Sequence, residues 1–113
     1  MTRAELIALE ERVEKATEQA VIYEVVHALK RGDLLDLCTI GAWLEVAASL
    51  VPADHAWACY GGKRPEGRAT AYCVPRKGST PWPAWVDDVT AATTPALALT
   101  AAALRALAQE IEP

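Results

Sequence analysis

The chain has 113 residues, 52% of them apolar, and a formal charge of −4. That length fits one domain, and that composition excludes a disordered tail. The acidic balance argues against a generic binder of long nucleic acid, whose affinity comes from neutralising phosphates, and no apolar run approaches the roughly 18 residues that span a bilayer.

Thr2 followed by Glu5 is a capping-box pattern, and Leu6, Leu9, Val13 and Ala16 recur behind it at helical spacing. A second apolar set, Val21, Ile22, Val25, Val26 and Leu29, continues to about residue 30. The two sets form one long helix or two helices; the sequence favours a break near Thr17, with Thr17 and Glu18 opening the second. Lys30 and Arg31 suit a C-terminal turn, and Gly32 is the natural stop. Residues 32–38 read as a loop, and Thr39 as the cap of the next helix. Trp43, Leu44, Ala47, Ala48, Leu50 and Val51 give that helix a wide apolar face, and Pro52 ends it.

The period then shortens. His55–Tyr60 reads as a strand, Gly61-Gly62 and Pro65-Glu66-Gly67 as turn signals, and Arg68–Val74 as the returning strand of a hairpin. Residues 75–83, with three prolines, read as a stiff loop, and Trp85–Thr90 as a third strand. Thr94 caps the last helix and Pro95 takes its first position, where a missing N–H costs nothing. Leu97, Leu104, Leu107 and Ile111, with Ala101 and Ala108 between them, form a stripe to about Glu110. An Ala-rich stripe admits close helix approach, within the chain or as a homodimer seam. The predicted class is α+β: three or four helices on a two- or three-stranded antiparallel sheet, in a single domain. Residues 1–31 form an N-terminal helical segment, and residues 39–111 a helix–hairpin–strand–helix core.

The charge is unevenly spread. Residues 1–54 sum to −5 and residues 79–113 to −3, whereas residues 55–78 sum to +4. Lys63, Arg64 and Arg68 sit at or beside the hairpin tip, with Arg76 and Lys77 after its second strand. Tyr60, Tyr72 and Trp82 lie nearby in the chain, as do Trp57 and Trp85. Cations grip phosphate oxygens and flat rings stack on bases, so Lys63, Arg64, Arg68, Arg76, Tyr60, Tyr72 and Trp82 are the candidate site for a small anionic or nucleotide-like ligand.

Other chemistry has less behind it. His55, Cys59 and Cys73 could converge on a metal across the hairpin, with His27 and Cys38 the remaining ligand types, but no CxxC or HxxxH spacing supports zinc. Ser49 and Ser79 lack a nucleophile motif, and Asp87 and Asp88 point to opposite faces if they lie on a strand. Gly61-Gly62-Lys63 lacks the rest of a phosphate loop. No enzyme and no cofactor is expected. Three cysteines, an odd number, behind a charged N-terminal segment fit reduced thiols in a cytoplasm.

The run LEVAASLVP (Leu44–Pro52), then Trp57, then AATTPALALTAAALRALA (Ala91–Ala108) resembles a family of small phage and prophage proteins. Its members share an "LVP…W" segment and a terminal "A-TPALAL-AAALRA" helix. Glu5–Thr17 is similar to the family's opening "ELIARLEAAT" segment, although Glu18-Gln19 stands where members often carry Gly-Pro. The family supplies no site residues. The resemblance implies a phage-accessory role, expected to counter host defence by sequestering a ligand. Two alternatives remain: an inhibitor or adaptor that docks on a host protein through Glu10, Glu11, Glu14 and Glu18, and a small virion or assembly component.

Overall fold

The computed structural model describes residues 1–61, 68–75 and 89–111. They form the predicted α+β architecture, with five α-helices where three or four were expected, and a three-stranded antiparallel sheet. Among these residues, no helix is long and apolar enough to cross a membrane.

Helix α1 (Arg3–Lys15) opens on the capping box: the Glu5 N–H donates to Thr2 Oγ1, and the Thr2 N–H donates to Glu5 Oε1, both at 3.1 Å. It buries Leu6, Glu10 and Val13 and stops at Ala16, whose backbone is extended. Helix α2 (Val21–Ala28) follows, so the break falls where the sequence favours it. Thr17 and Glu18 do not cap α2; its N-cap is Ala20, which makes no side-chain bond. Residues from the far end of the chain hold the break instead. Thr93 Oγ1 donates to the Ala16 carbonyl at 2.9 Å, and Thr94 Oγ1 lies 3.2 Å from Gln19 Oε1.

The stop after α2 is also displaced. Lys30, not Gly32, takes the left-handed conformation (φ 58°), and the Arg31 N–H reaches back to the Val26 carbonyl at 2.9 Å in a Schellman-type turn. Gly32 then opens a 3-10 turn, Gly32–Leu34, that leads into α3 (Leu35–Thr39). The expected loop at 32–38 is therefore helical, because Leu34 and Cys38, one turn apart, both enter the core. Thr39 closes α3 rather than capping the next helix, its hydroxyl donating to the Leu35 carbonyl at 3.0 Å. Gly41 (φ 75°) makes the corner into α4 (Trp43–Leu50). Pro52 follows the Val51 cap and prevents continuation.

Strands β1 (His55–Tyr60) and β2 (Ala69–Pro75) form the predicted hairpin, in a continuous register from His55 opposite Pro75 to Tyr60 opposite Thr70. The third strand is Thr90–Ala92 (β3), antiparallel to β2. It begins where the predicted strand at 85–90 was to end, and residues 85–88 lie outside the described residues. Thr90 anchors it, its buried hydroxyl lying 2.6 Å from the Ala98 carbonyl and 3.3 Å from that of Ala71.

Helix α5 (Pro95–Glu110) starts as predicted, the Leu97 N–H donating to Thr94 Oγ1 at 3.2 Å with Pro95 in the first turn. Its burial is not a stripe. Ala96 to Leu104 are buried without interruption, as are Ala106 and Ala108. The helix lies at the centre of the molecule, packed by α1, α4 and all three strands. Small side chains let those elements approach its axis, so of the two readings of the alanines the one within the chain accounts for their burial.

Candidate functional site

The predicted anion site is spread around the hairpin, and the structure describes three of its seven residues. Lys63, Arg64, Arg76 and Trp82 lie outside the described residues, as do Lys77, Trp85, Asp87 and Asp88.

Arg68 stands just before β2, and its guanidinium is already engaged. One nitrogen donates to the Glu14 carbonyl, near the end of α1, and to the Ala91 carbonyl in β3, the latter at 3.0 Å. Helix ends leave carbonyls without intrahelical donors, and Arg68 supplies one while tying α1 to the sheet. Its Nη2 thus works as a main-chain staple, on a side chain that is exposed. Tyr72 is corrected: it is 8% exposed, so its ring offers no open stacking face. Burial pushes its phenol up, helped by the charge of Tyr60 and a side-chain hydrogen bond with it. Tyr60 itself is 56% exposed, at the strand end that runs on through Gly61-Gly62 to Lys63 and Arg64. Tyr60 and Tyr72 share one face of the hairpin, since Ala58 pairs with Tyr72 and Tyr60 follows Ala58 by two residues.

The opposite face carries His55, Trp57, Cys59 and Cys73, with Ala71 and Cys73 in the core. The register brings both cysteines to one face, which alternation alone left open. Burial raises the Cys59 thiol, and burial, with a smaller contribution from Glu110, pushes Cys73 up to about 11. Thiols held protonated are poor nucleophiles. His55 Nε2 lies 3.6 Å from Glu110 Oε1. Among the described residues no three His, Cys, Asp or Glu side chains are arranged to hold a metal ion.

A charged cluster that the linear sequence gave no reason to connect joins α1 to α5. Arg105 Nη2 donates to Glu10 Oε2 at 2.8 Å and to Glu14 Oε1 at 3.3 Å, and Arg105 Nε reaches the same Glu10 oxygen at 3.1 Å. Glu10 is buried and Glu14 half-buried. Two of the four carboxylates assigned to a docking face are therefore turned inward, and Glu11 and Glu18 project.

Burial pushes the Glu14 carboxyl up to about 7, reinforced by its hydrogen bond with Glu10 and that neighbour's charge, while Arg105 and Arg68 pull the other way. Between its ordinary value of 4.5 and about 7 the folded protein holds a proton that the unfolded chain releases. Stability from this group therefore falls as pH rises through that window. Glu14→Gln removes the slope: the variant matches wild type at pH 4 and exceeds it at pH 8, by about 1 kcal/mol after solvent screening. Urea melts across pH 4–8 check this; parallel curves for the two proteins contradict it.

Compared with known proteins, the chain matches no family model, and no curated protein and no solved structure is similar to it.

Proposed function

We propose that the chain is a non-enzymatic accessory protein of phage type that counters host defence by binding and sequestering a small anionic, nucleotide-like ligand at the Tyr60 end of the β1–β2 hairpin. The observation that carries the reading is Tyr60, 56% exposed, at the strand end that leads into Lys63 and Arg64. An exposed phenol ring three residues before consecutive cations in the chain supplies a stacking surface and charge for phosphate. Arg68 serves by tying the start of β2 to α1 through its Nη2. The resemblance of residues 44–108 to the phage proteins supplies the biological setting.

The test is mass spectrometry of small molecules that co-purify with the protein, followed by calorimetric titration with ATP, a cyclic dinucleotide and inorganic phosphate. Tyr60→Ala, and Lys63→Ala combined with Arg64→Ala, each weaken the bound nucleotide by about tenfold, the scale of one stacking or charge-assisted contact. Undiminished binding by both variants removes the hairpin from the site.

A second reading, an inhibitor or adaptor of a host protein, is favoured by one corner of the surface. Ile40 is 77% exposed and Leu44 45%, on either side of the Gly41 turn. Recovery of one host protein at stoichiometric yield, lost in Ile40→Asp, supports that reading over the first.

A further inference from the structure

β1 is an edge of the sheet, paired with β2 on one side. Among the described residues, no backbone N–H or carbonyl of His55–Tyr60 bonds to a group beyond the sheet. An unpaired strand edge is a template for another strand, and folded proteins guard theirs with lysine, proline, bulges or a covering segment. The opposite edge is guarded in this way. β3 has three residues, α1 packs beside it, and Arg68 occupies the Ala91 carbonyl. β1 has six residues, none of them lysine, arginine or proline, in an uninterrupted register with β2. Trp57 is 39% exposed on one of its faces and Tyr60 56% on the other.

The strand is complementary to itself. Outward N–H and C=O pairs alternate along an edge, so two identical antiparallel strands meet with one residue opposed to its own copy at the centre. Opposed residues share a face of the sheet. Centred on Ala58, the register sets Trp57 against Cys59 of the second copy and Tyr60 against Ala56 of the second copy, each pair occurring twice by symmetry. A large exposed ring then meets a small side chain on both faces. Centring on Trp57 instead would oppose two indoles and set Tyr60 against Asp54, which has left the strand with φ 62°. We infer that two copies of this chain join edge to edge through β1, about a two-fold axis at Ala58, into one continuous antiparallel sheet. Charge permits it. β1 contains no carboxylate, and Asp54 and Glu110, the latter 3.6 Å from His55, both sit at the His55 end. Antiparallel pairing holds the two His55 ends roughly 20 Å apart, beyond a Debye length. Because Ala56 is small, Tyr60 keeps an open ring face in the dimer, and the nucleotide reading stands apart from it.

One strand seam buries less than a standard interface, so association is reversible, with a Kd on the order of 10 μM. Sedimentation velocity of the ligand-free full chain, from roughly 1 to 200 μM, shows a monomer–dimer equilibrium in wild type. Ala58→Lys opposes two ammonium groups at the axis, and Trp57→Lys restores the usual edge guard. Each is monomeric throughout, with a circular dichroism melt close to that of wild type. Mild oxidation reads the register. In a Cys59→Ala background, Ala58→Cys cross-links into a dimer, because opposed residues of antiparallel strands lie within disulfide reach. Ala56→Cys, about 14 Å from its own copy, does not. A wild type that stays monomeric overturns the inference and leaves the edge to a strand of another protein. A dimer that survives both lysine variants overturns it too, as does an Ala56→Cys chain that cross-links as readily as Ala58→Cys.

Discussion

Arg105→Ala lowers the free energy of unfolding by about 3 kcal/mol, the scale expected when one member of a buried ion pair is removed. The loss comes less from the missing attraction than from what stays behind. Glu10 is 8% exposed, and its carboxylate would remain inside the fold without the two guanidinium bonds, at 2.8 and 3.1 Å, that compensate its burial. Glu14 would lose its own contact at the same time. Urea denaturation measures the change, and a companion variant separates the causes. With Glu10→Met and Arg105→Met together no buried charge is orphaned in that pair, and the double variant recovers most of the loss. A double variant as unstable as Arg105→Ala would show that the pair itself, rather than the orphaned carboxylate, dominates.

Leu104→Ala costs about 3–4 kcal/mol, at the heart of the range for buried leucines. Leu104 is fully buried on a helix enclosed by α1, α4 and the sheet, so no neighbouring surface is free to collapse into the cavity. The same enclosure makes the opposite change costly. Ala103→Leu must displace packed neighbours and loses about 2 kcal/mol. Chemical denaturation of both variants checks the pair of values. A loss below about 1 kcal/mol for either contradicts the central placement of α5.

Features whose cause lies within one turn of chain were legible from sequence. Thr2 with Glu5, and Thr94, satisfy donors three residues away, Pro95 has no N–H to satisfy, and both sets start helices as read. The β1–β2 pairing followed from turn residues between two short β-compatible runs. What escaped was set at long range or by a choice between near-equal local options. Thr93 and Thr94 hold the α1–α2 break across 77 and 75 residues, and Arg105 meets Glu10 across 95. Lys30 takes the left-handed turn although Gly32 is the better intrinsic candidate, because Val26 and the buried Leu34 on either side fix the chain path. β3 is three small residues held by β2 and by the Ala98 carbonyl, with too little pattern of its own.

Of the candidate site, residue types were legible but roles were not. Arg68 reads as a surface cation until Glu14, 54 residues away, is brought beneath it. Tyr72 and Tyr60 are the same residue type on the same hairpin face, yet one is covered and the other open.

The helix on which α1, α4 and all three strands pack follows every other element in the sequence. During synthesis, α1, α4 and the hairpin therefore emerge with their apolar sides uncovered and wait for residues 95–110 to leave the ribosome. Folding is deferred until translation of that segment is complete, and a chain interrupted before Pro95 is left without its nucleus. Stalled or truncated products should be cleared by proteolysis rather than accumulate as partial domains, and the late arrival of α5 makes its docking the commitment step of folding.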